Sequence, residues 1–252
     1  MLKKENLGVP YYVFSLLERH PSLRHAVLTR HGPDGSDWTF SHTPDSDLPT
    51  VLQNRRRAEA ALGLPPAAWI KMTHGDRCLV LDPDSDYASD SMVEAQSDFD
   101  AIIGFPGQSL TVRLADCQGA ILFDPVSRLL AMVHSGWRSS VKNILGQTVN
   151  LMKNDFGIKP ENILAAFAPS LGPCCAEFIN FKTELPASFT QFLTNKPFHF
   201  DFPAISRQQL LEVGLDPEHI EFSNICTKCS PEFYSYRRGD SGRFAILAGV
   251  IR

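Results

Sequence analysis

The 252-residue sequence contains no run of the roughly 20 apolar residues that a membrane-spanning helix requires. It also lacks a surplus of basic residues, since 24 Lys and Arg face 28 Asp and Glu for a net charge of −4. Proteins that bind nucleic acids usually carry a basic surface. Neither a membrane nor a nucleic acid is therefore expected as a partner. The N-terminal residues lack the long apolar segment of a secretory signal peptide, which predicts a cytoplasmic protein.

No Gly-, Ser- or Pro-rich linker divides the chain, which predicts a single domain over residues 1–252. Predicted strands and helices alternate, a pattern that favours an α/β (α+β) fold with a mixed sheet covered by helices. Residues 110–115, 120–123 and 129–134 are apolar at nearly every position. Such runs predict strands that are buried on both faces. The apolar spacing over residues 137–156 predicts one long helix that begins just after Gly136.

Three candidate metal ligands lie where predicted strands end: His74, Cys117 and His134. Zinc binds thiolate and imidazole well, and three protein ligands leave the open position that a catalytic metal needs. Their spacing in the chain matches no short metal-binding signature. The same residues therefore also permit a nucleophilic pair, in which His134 takes the proton of the Cys117 thiol.

Polar residues next to these ligands suggest roles in catalysis and anion binding. Asp116 is a candidate acceptor that orients a ligand imidazole, or a general base. The predicted helix start after Gly136 offers free N–H groups to a phosphate, and Arg138 offers a guanidinium. The basic turn at residues 236–240, with Arg243, is either a solvated hairpin or an anion-binding rim.

The other cysteines carry weaker signals. Cys226 and Cys229 form a CxxC, but no second CxxC supplies the other half of a four-cysteine zinc site, so this pair is expected to be structural or incidental. Cys174 and Cys175 are expected to pack in a turn. The acidic residues 83–98 predict an exposed loop.

Several short motifs together carry a resemblance to a known family. They are NR at residues 54–55, THG at 73–75, LADC at 114–117, VHSGWR at 133–138, PSLGPCC at 169–175 and FYSYRR at 233–238. These motifs resemble those of the laccase-domain family, also described as YfiH-type or multicopper polyphenol oxidoreductase-like. The ADC and HxGWR pair, in that order, is the most specific part of the match. Met72, Gln118 and Ser139 depart from the family pattern without removing a candidate ligand.

The resemblance implies a four-layer α/β/β/α domain with mixed sheets and a zinc ion, or a copper ion in some members, held by His74, Cys117 and His134. It implies phosphorolysis of adenosine, inosine and methylthioadenosine, together with adenosine deamination. Asp116, Cys117 and His134 are the expected catalytic residues. The candidates for substrate or phosphate binding are Asn54, Arg55 and Arg138. A nucleoside and phosphate are the expected partners of a monomer.

Three other functions stay open from the sequence. The family name also suggests a copper-dependent polyphenol oxidase, although a multicopper centre needs many histidines and the chain has only eight. The Cys117–His134 pair would suit a cysteine hydrolase that edits a peptidoglycan precursor. A binding module without catalysis is the third.

Overall fold

Two six-stranded β-sheets form the centre of the protein. The computed structural model describes residues 1–42, 46–84 and 98–252. The first sheet has the strand order β1-β2-β3-β12-β7-β4, and the second has the order β11-β10-β8-β9-β6-β5. The strands are β1 Leu2–Asn6, β2 Val9–Val13, β3 Leu23–Leu28, β4 Ala67–Trp69, β5 Cys78–Val80, β6 Ala101–Gly104, β7 Ser109–Leu114, β8 Gln118–Phe123, β9 Leu130–Ser135, β10 Leu164–Phe167, β11 Ile220–Phe222 and β12 Phe244–Val250.

Both sheets are mixed. The pairs β4/β7, β5/β6 and β10/β11 are parallel, whereas the other pairs in the two sheets are antiparallel. The helices are α1 Ser15–Glu18, α2 Leu48–Leu62, α3 Trp137–Val141, α4 Ile144–Phe156, α5 Phe181–Glu184 and α6 Phe202–Glu212. Single turns of 3₁₀-helix occur elsewhere, among them Tyr236–Arg238.

The layers follow the order helix, sheet, sheet, helix. The central core lies between the sheets, where Val112 and Ile246 of the first sheet belong to the same buried cluster as Ile121 and Met132 of the second. Helix α2 packs its alanines on the outer face of the first sheet. Helices α4 and α6 cover the outer face of the second sheet. The predicted fold class is therefore confirmed, and burial of β7, β8 and β9 explains their unbroken apolar runs.

The prediction of one long helix over residues 137–156 is wrong. Asn143 adopts a left-handed conformation with φ of 58°, which ends the five-residue helix α3. Its side-chain Oδ1 accepts a hydrogen bond of 3.1 Å from the amide of Gly146 and so caps α4. Asparagine tolerates this backbone region better than most residues. An apolar spacing that continues across both helices conceals the break.

The chain passes from one sheet to the other directly before the candidate site. Strand β7 belongs to the first sheet and β8 to the second, so residues 115–117 form the crossing. On the second sheet, His134 of β9 lies opposite Gly119 of β8. This arrangement brings Cys117 and His134 to the same edge.

Two further expectations from the sequence concern an acidic loop and membrane spans. Of the acidic loop predicted over residues 83–98, residues 85–97 lie outside the described residues. In the described ranges, none of the helices combines the length and the apolar character needed to cross a bilayer.

A buried histidine in β3 makes the stability of the fold depend on pH. His25 is 3% exposed, and its Nε2 accepts a 2.8 Å hydrogen bond from the amide of Phe14. Burial lowers the pKa of His25 to about 4, against about 6.5 for a solvated histidine. The unfolded state therefore binds the proton first as the pH falls, so this contribution is complete above about pH 6.5 and declines towards pH 4.

We expect the wild-type protein to lose about 2 kcal/mol more unfolding free energy than His25→Gln between pH 7.5 and pH 5. Urea unfolding of both proteins at both pH values measures the difference. An equal loss in the two proteins would show that His25 does not carry this dependence.

Candidate metal centre and cavity

Three side chains from distant parts of the chain converge at one edge of the sheets. The ligand atoms of His74, Cys117 and His134 all lie within 4.8 Å of one another. The Nε2 atom of His74 is 3.7 Å from the sulfur of Cys117. The two imidazole rings stand nearly perpendicular, at 79°, with their centroids 5.0 Å apart. The structure thus brings together the three residues that the sequence singled out as ligands.

A buried carboxylate holds two of these ligands in place. Asp100 precedes β6 and is fully buried. Its Oδ1 accepts hydrogen bonds from Nδ1 of His134 at 2.8 Å and from the amide of His74 at 2.9 Å. Its Oδ2 accepts a 2.6 Å bond from the amide of Gly75. Because Nδ1 of His134 is engaged, Nε2 is the nitrogen left to bind a metal ion.

The charges of the site reinforce one another. Burial alone would raise the pKa of the Cys117 thiol, but the charge of His134 and hydrogen bonds from both histidines lower this pKa to about 6. Burial alone would lower the pKa of His134, but Cys117 and Asp100 raise it to about 9. Hydrogen bonding to His134 and its charge outweigh burial and lower the pKa of Asp100 to about 2. The sulfur therefore favours the thiolate form, which is the form that binds metals.

The donor set fits a single transition-metal ion. One thiolate and two imidazoles suit zinc, and they also suit copper. For a tetrahedral zinc site with bonds of about 2.0–2.3 Å, neighbouring ligand atoms are roughly 3.3–3.8 Å apart, which agrees with the 3.7 Å between His74 and Cys117. Three protein ligands leave a fourth position for a reacting group.

The three ligands lie in the wall of a cavity of about 580 Å³. Trp137 and Phe178 contribute an aromatic part of the wall, with ring centroids 6.1 Å apart and planes at 76°. Met72 and Phe202 add apolar surface. A cavity of this size accommodates a molecule as large as a nucleoside.

The remaining walls of the cavity are strongly cationic. The basic side chains that line it are Lys71, Arg113, Arg138, Arg237 and Arg243. Asp116 is the carboxylate among its described lining residues. This imbalance of charge favours an anionic ligand such as phosphate.

Asp116 does not orient an imidazole, because its carboxylate has other partners. Oδ1 accepts a 2.6 Å hydrogen bond from the Thr227 hydroxyl, and Oδ2 accepts a 2.6 Å bond from the amide of Arg237. Its backbone is left-handed, with φ of 84°, a conformation that is uncommon outside glycine and often marks functional sites. The orienting role falls to Asp100, while Asp116 faces the cavity.

Asn54 and Arg55 lie away from the cavity. Both are buried in α2, where Arg55 stacks on the Trp69 ring at 3.9 Å and donates to the carbonyl of Phe40. Asn54 donates to the carbonyl of Thr39. Neither is among the described residues that line the cavity. Arg138 does line it, stacked on the Trp137 ring at 4.1 Å.

Asp100 and Arg113 are among the site residues that the sequence did not single out. A signal existed for Asp100, since a carboxylate directly before a buried strand requires partners. Arg113 interrupts the apolar run of β7, and its Nη2 donates to the carbonyl of Ile70. An arginine within such a run is a signal, because its charge requires polar partners or access to solvent. Arg237 and Arg243, from the basic turn and just after it, line the cavity.

The chain resembles known proteins over most of its length. The sequence model of the family described as "Multi-copper polyphenol oxidoreductase laccase" matches residues 24–251. A purine nucleoside phosphorylase of Xylella fastidiosa strain 9a5c is 31% identical over 215 residues, covering 81% of this chain and 80% of that protein. Purine nucleoside phosphorylase YfiH of Shigella flexneri is 32% identical over 212 residues, covering 80% and 81%.

The fold has close counterparts among solved structures. The crystal structure of the hypothetical protein YfiH of Bacillus licheniformis superposes with a TM-score of 0.84 over 98% of both chains, at 23% identity. At that identity the likeness shows the shared fold alone.

Gly136 leaves room for the ligands, and this can be tested. A methyl group on its Cα would lie 2.6 Å from Cδ2 of His74 and 3.2 Å from the Cys117 sulfur. We expect Gly136→Ala to displace the imidazole and to weaken zinc binding at this site by about 10–100-fold. Competition with a chelator measures the affinity of the protein for zinc. Cys117→Ala removes a candidate ligand, so the difference in bound zinc between the wild type and this variant is the zinc held at this site.

Gly75→Ala is the matched control, because its added methyl group would lie 3.4 Å from the nearest atom, Oδ2 of Asp100. Unchanged zinc affinity in Gly136→Ala would mean that the ion does not bind between these ligands.

Proposed function

Because the chain belongs to the multi-copper polyphenol oxidoreductase laccase family, and because its relatives carry the name purine nucleoside phosphorylase, we propose that it is a purine nucleoside phosphorylase. The substrates are adenosine, inosine and methylthioadenosine. The observation that carries the proposal is a His/Cys metal centre in a cavity with cationic and aromatic walls. Such walls suit the two substrates of phosphorolysis, an anion and a flat base.

The cationic wall binds phosphate. Guanidinium groups form paired, charge-assisted hydrogen bonds with phosphate oxygens. Arg237 is held by a 3.0 Å bond from Nη1 to the carbonyl of Glu177, which leaves its other nitrogens for a ligand. Arg138 replaces Arg55 as the arginine that follows from the motifs, because Arg138 alone of the two lines the cavity.

The aromatic wall binds the purine. Trp137 and Phe178 line the cavity with nearly perpendicular rings, and aromatic rings contact flat bases favourably. Phosphate then attacks the anomeric carbon of the ribose, the carbon–nitrogen bond breaks, and the base leaves with the electron pair. The departing purine takes up a proton, and Asp116 is the proton-transfer residue that we assign to this step. The products are a free base and the 1-phosphate of the sugar, which is ribose 1-phosphate for adenosine and inosine and methylthioribose 1-phosphate for methylthioadenosine.

The metal in this proposal is zinc, bound by His74, Cys117 and His134. When bound, zinc supplies a Lewis acid that polarises a substrate oxygen. Asp100 acts on the reaction through His134, whose ring it orients. Adenosine deamination, in which water replaces the purine amino group and ammonia leaves, is a second activity proposed for the same cavity. The groups involved lie in one chain, so we propose one domain, residues 1–252, that acts as a monomer.

The low pKa of Cys117 beside His134 favours one alternative, a cysteine hydrolase. A copper-dependent polyphenol oxidase has less support. In the described ranges, one cluster of candidate ligands contains histidines, and the other consists of cysteines alone.

The direct test is turnover of nucleosides. We expect zinc-loaded protein to convert adenosine and phosphate to adenine and ribose 1-phosphate. Without phosphate, adenosine is expected to yield inosine and ammonia only. Chromatography of the products measures both reactions. Cys117→Ala is expected to lower both rates by at least about 100-fold, since it removes a metal ligand.

Chelation separates the alternatives. In the proposed enzyme, removal of zinc is expected to abolish activity, and added zinc is expected to restore it. A cysteine hydrolase would keep its activity without metal. No product above the Cys117→Ala level in either reaction would overturn the proposed function.

Loss of the Arg237 guanidinium is expected to affect phosphate selectively. We expect Arg237→Ala to raise the KM for phosphate by about 10–100-fold. This change corresponds to the loss of one charge-assisted hydrogen bond, which contributes about 1.5–3 kcal/mol. The KM for the nucleoside is expected to stay nearly unchanged. The bond from the Arg237 amide to Asp116 survives the substitution, because it comes from the backbone.

Arg24→Ala is the control, since it removes the same charge from an exposed position on β3. Equal effects of the two substitutions on the KM for phosphate would show a general charge effect rather than a binding site.

A further inference from the structure

A second cluster of metal-binding side chains lies outside the cavity. Its four sulfur atoms are all within 4.8 Å of one another and belong to Cys174, Cys175, Cys226 and Cys229, here termed the four-cysteine cluster. All four are free thiols. The cluster contradicts the expectation that the CxxC lacks partners, because the adjacent pair at residues 174–175 supplies the missing half. We propose that the four-cysteine cluster binds one zinc ion with a structural role.

The spacing of the sulfurs fits a tetrahedral ion. With Zn–S bonds of about 2.3 Å, the sulfurs of a tetrahedral site lie about 3.8 Å apart. The sulfur of Cys229 is 3.8 Å from that of Cys174 and 3.5 Å from that of Cys175. These distances enclose one ion and leave no space for a cluster of several irons and sulfides. Four thiolates fill a tetrahedral coordination shell, which is typical of structural rather than catalytic zinc.

Parallel strand pairing explains how two distant cysteine pairs meet. Strands β10 and β11 are parallel neighbours, so the segments that follow them leave the sheet at the same edge. The pairing continues beyond the strands through a parallel bridge between Ser170 and Cys226. The amide of Thr227 donates to the carbonyl of Ser170 at 3.0 Å. Each segment then turns and presents its two cysteines to the other.

The turns themselves are shaped for a thiolate site. In the CxxC, the amide of Ser230 donates to the carbonyl of Cys226 at 2.9 Å, which closes the turn. A side chain at Gly172 would crowd the cluster, because an added Cβ would lie 3.0 Å from Cβ of Cys226.

Positive charge next to the cluster compensates the excess of thiolates. Four thiolates and one Zn²⁺ carry a net charge of −2, which needs nearby donors and cations. The ammonium of Lys196 donates to the carbonyl of Cys174 at 2.9 Å. Lys228 lies inside the CxxC itself.

The proposed ion would also fix one wall of the cavity. Thr227, between the two CxxC cysteines, is the residue whose hydroxyl holds Asp116. On the other segment, the amide of Leu171 donates to the carbonyl of Asp116 at 2.8 Å, and the side chain of Leu171 lines the cavity. An ion that joins the two segments would therefore hold Asp116 from both sides. The proposal does not depend on which reaction the cavity performs.

The test measures zinc in a background where the His/Cys centre is disabled. The full chain carrying Cys117→Ala is purified with reductant and added zinc, and its metal content is measured by mass spectrometry. We expect one zinc per chain. Adding Cys226→Ser and Cys229→Ser is expected to remove it, whereas adding Cys78→Ser, a cysteine of β5 outside both clusters, is expected to leave it. Equal zinc in all three proteins would overturn the proposal.

Alkylation of the Cys117→Ala protein with its four-cysteine cluster intact provides a second measurement, which does not depend on the folding of the serine variants. We expect bound zinc to protect four cysteines from iodoacetamide and a chelator to expose them, with peptide mass spectrometry identifying the sites. A disulfide within the cluster under reducing conditions, or iron in place of zinc, would also overturn the assignment.

Discussion

The candidate centre depends on the buried carboxylate of Asp100. Burying a charge away from water is costly unless hydrogen bonds compensate for the lost hydration. For Asp100, the compensating donors belong to residues of the candidate centre. The Asp100 carboxylate accepts hydrogen bonds from the ring of His134 and from the amides of His74 and Gly75. The amide of His134 also donates to the carbonyl of Asp100 at 2.7 Å. One side chain therefore fixes a loop, a strand end and an imidazole, and it does so without touching the metal position.

The third ligand reaches the centre by a different route. Cys117 lies where the chain leaves one sheet and enters the other, so its position is set by the packing of the two sheets against each other. The central core that joins the sheets thus also determines the distance between the thiolate and the imidazoles. The lowered pKa of Cys117 follows from that distance, because the charge of His134 acts at close range.

Hydrogen bonds also fix a carboxylate in the wall of the cavity. Asp116 is held through Thr227 and Leu171, which belong to the two segments that carry the four-cysteine cluster. A zinc ion there would join the two segments beyond the ends of β10 and β11. The two proposed ions then have distinct tasks, since the open three-ligand centre faces the cavity and the closed four-ligand centre supports it.

The sequence by itself identified the central strands and the three candidate ligands. Strands β7, β8 and β9 are recognisable because burial on both faces demands unbroken apolar runs, and His74, Cys117 and His134 because few residue types bind metals. Only the tertiary structure decided which carboxylate orients His134, which arginines face the cavity, and that the two cysteine pairs meet. Those outcomes depend on strand order and register, which join residues far apart in the chain, whereas a local pattern records only what lies a few positions away.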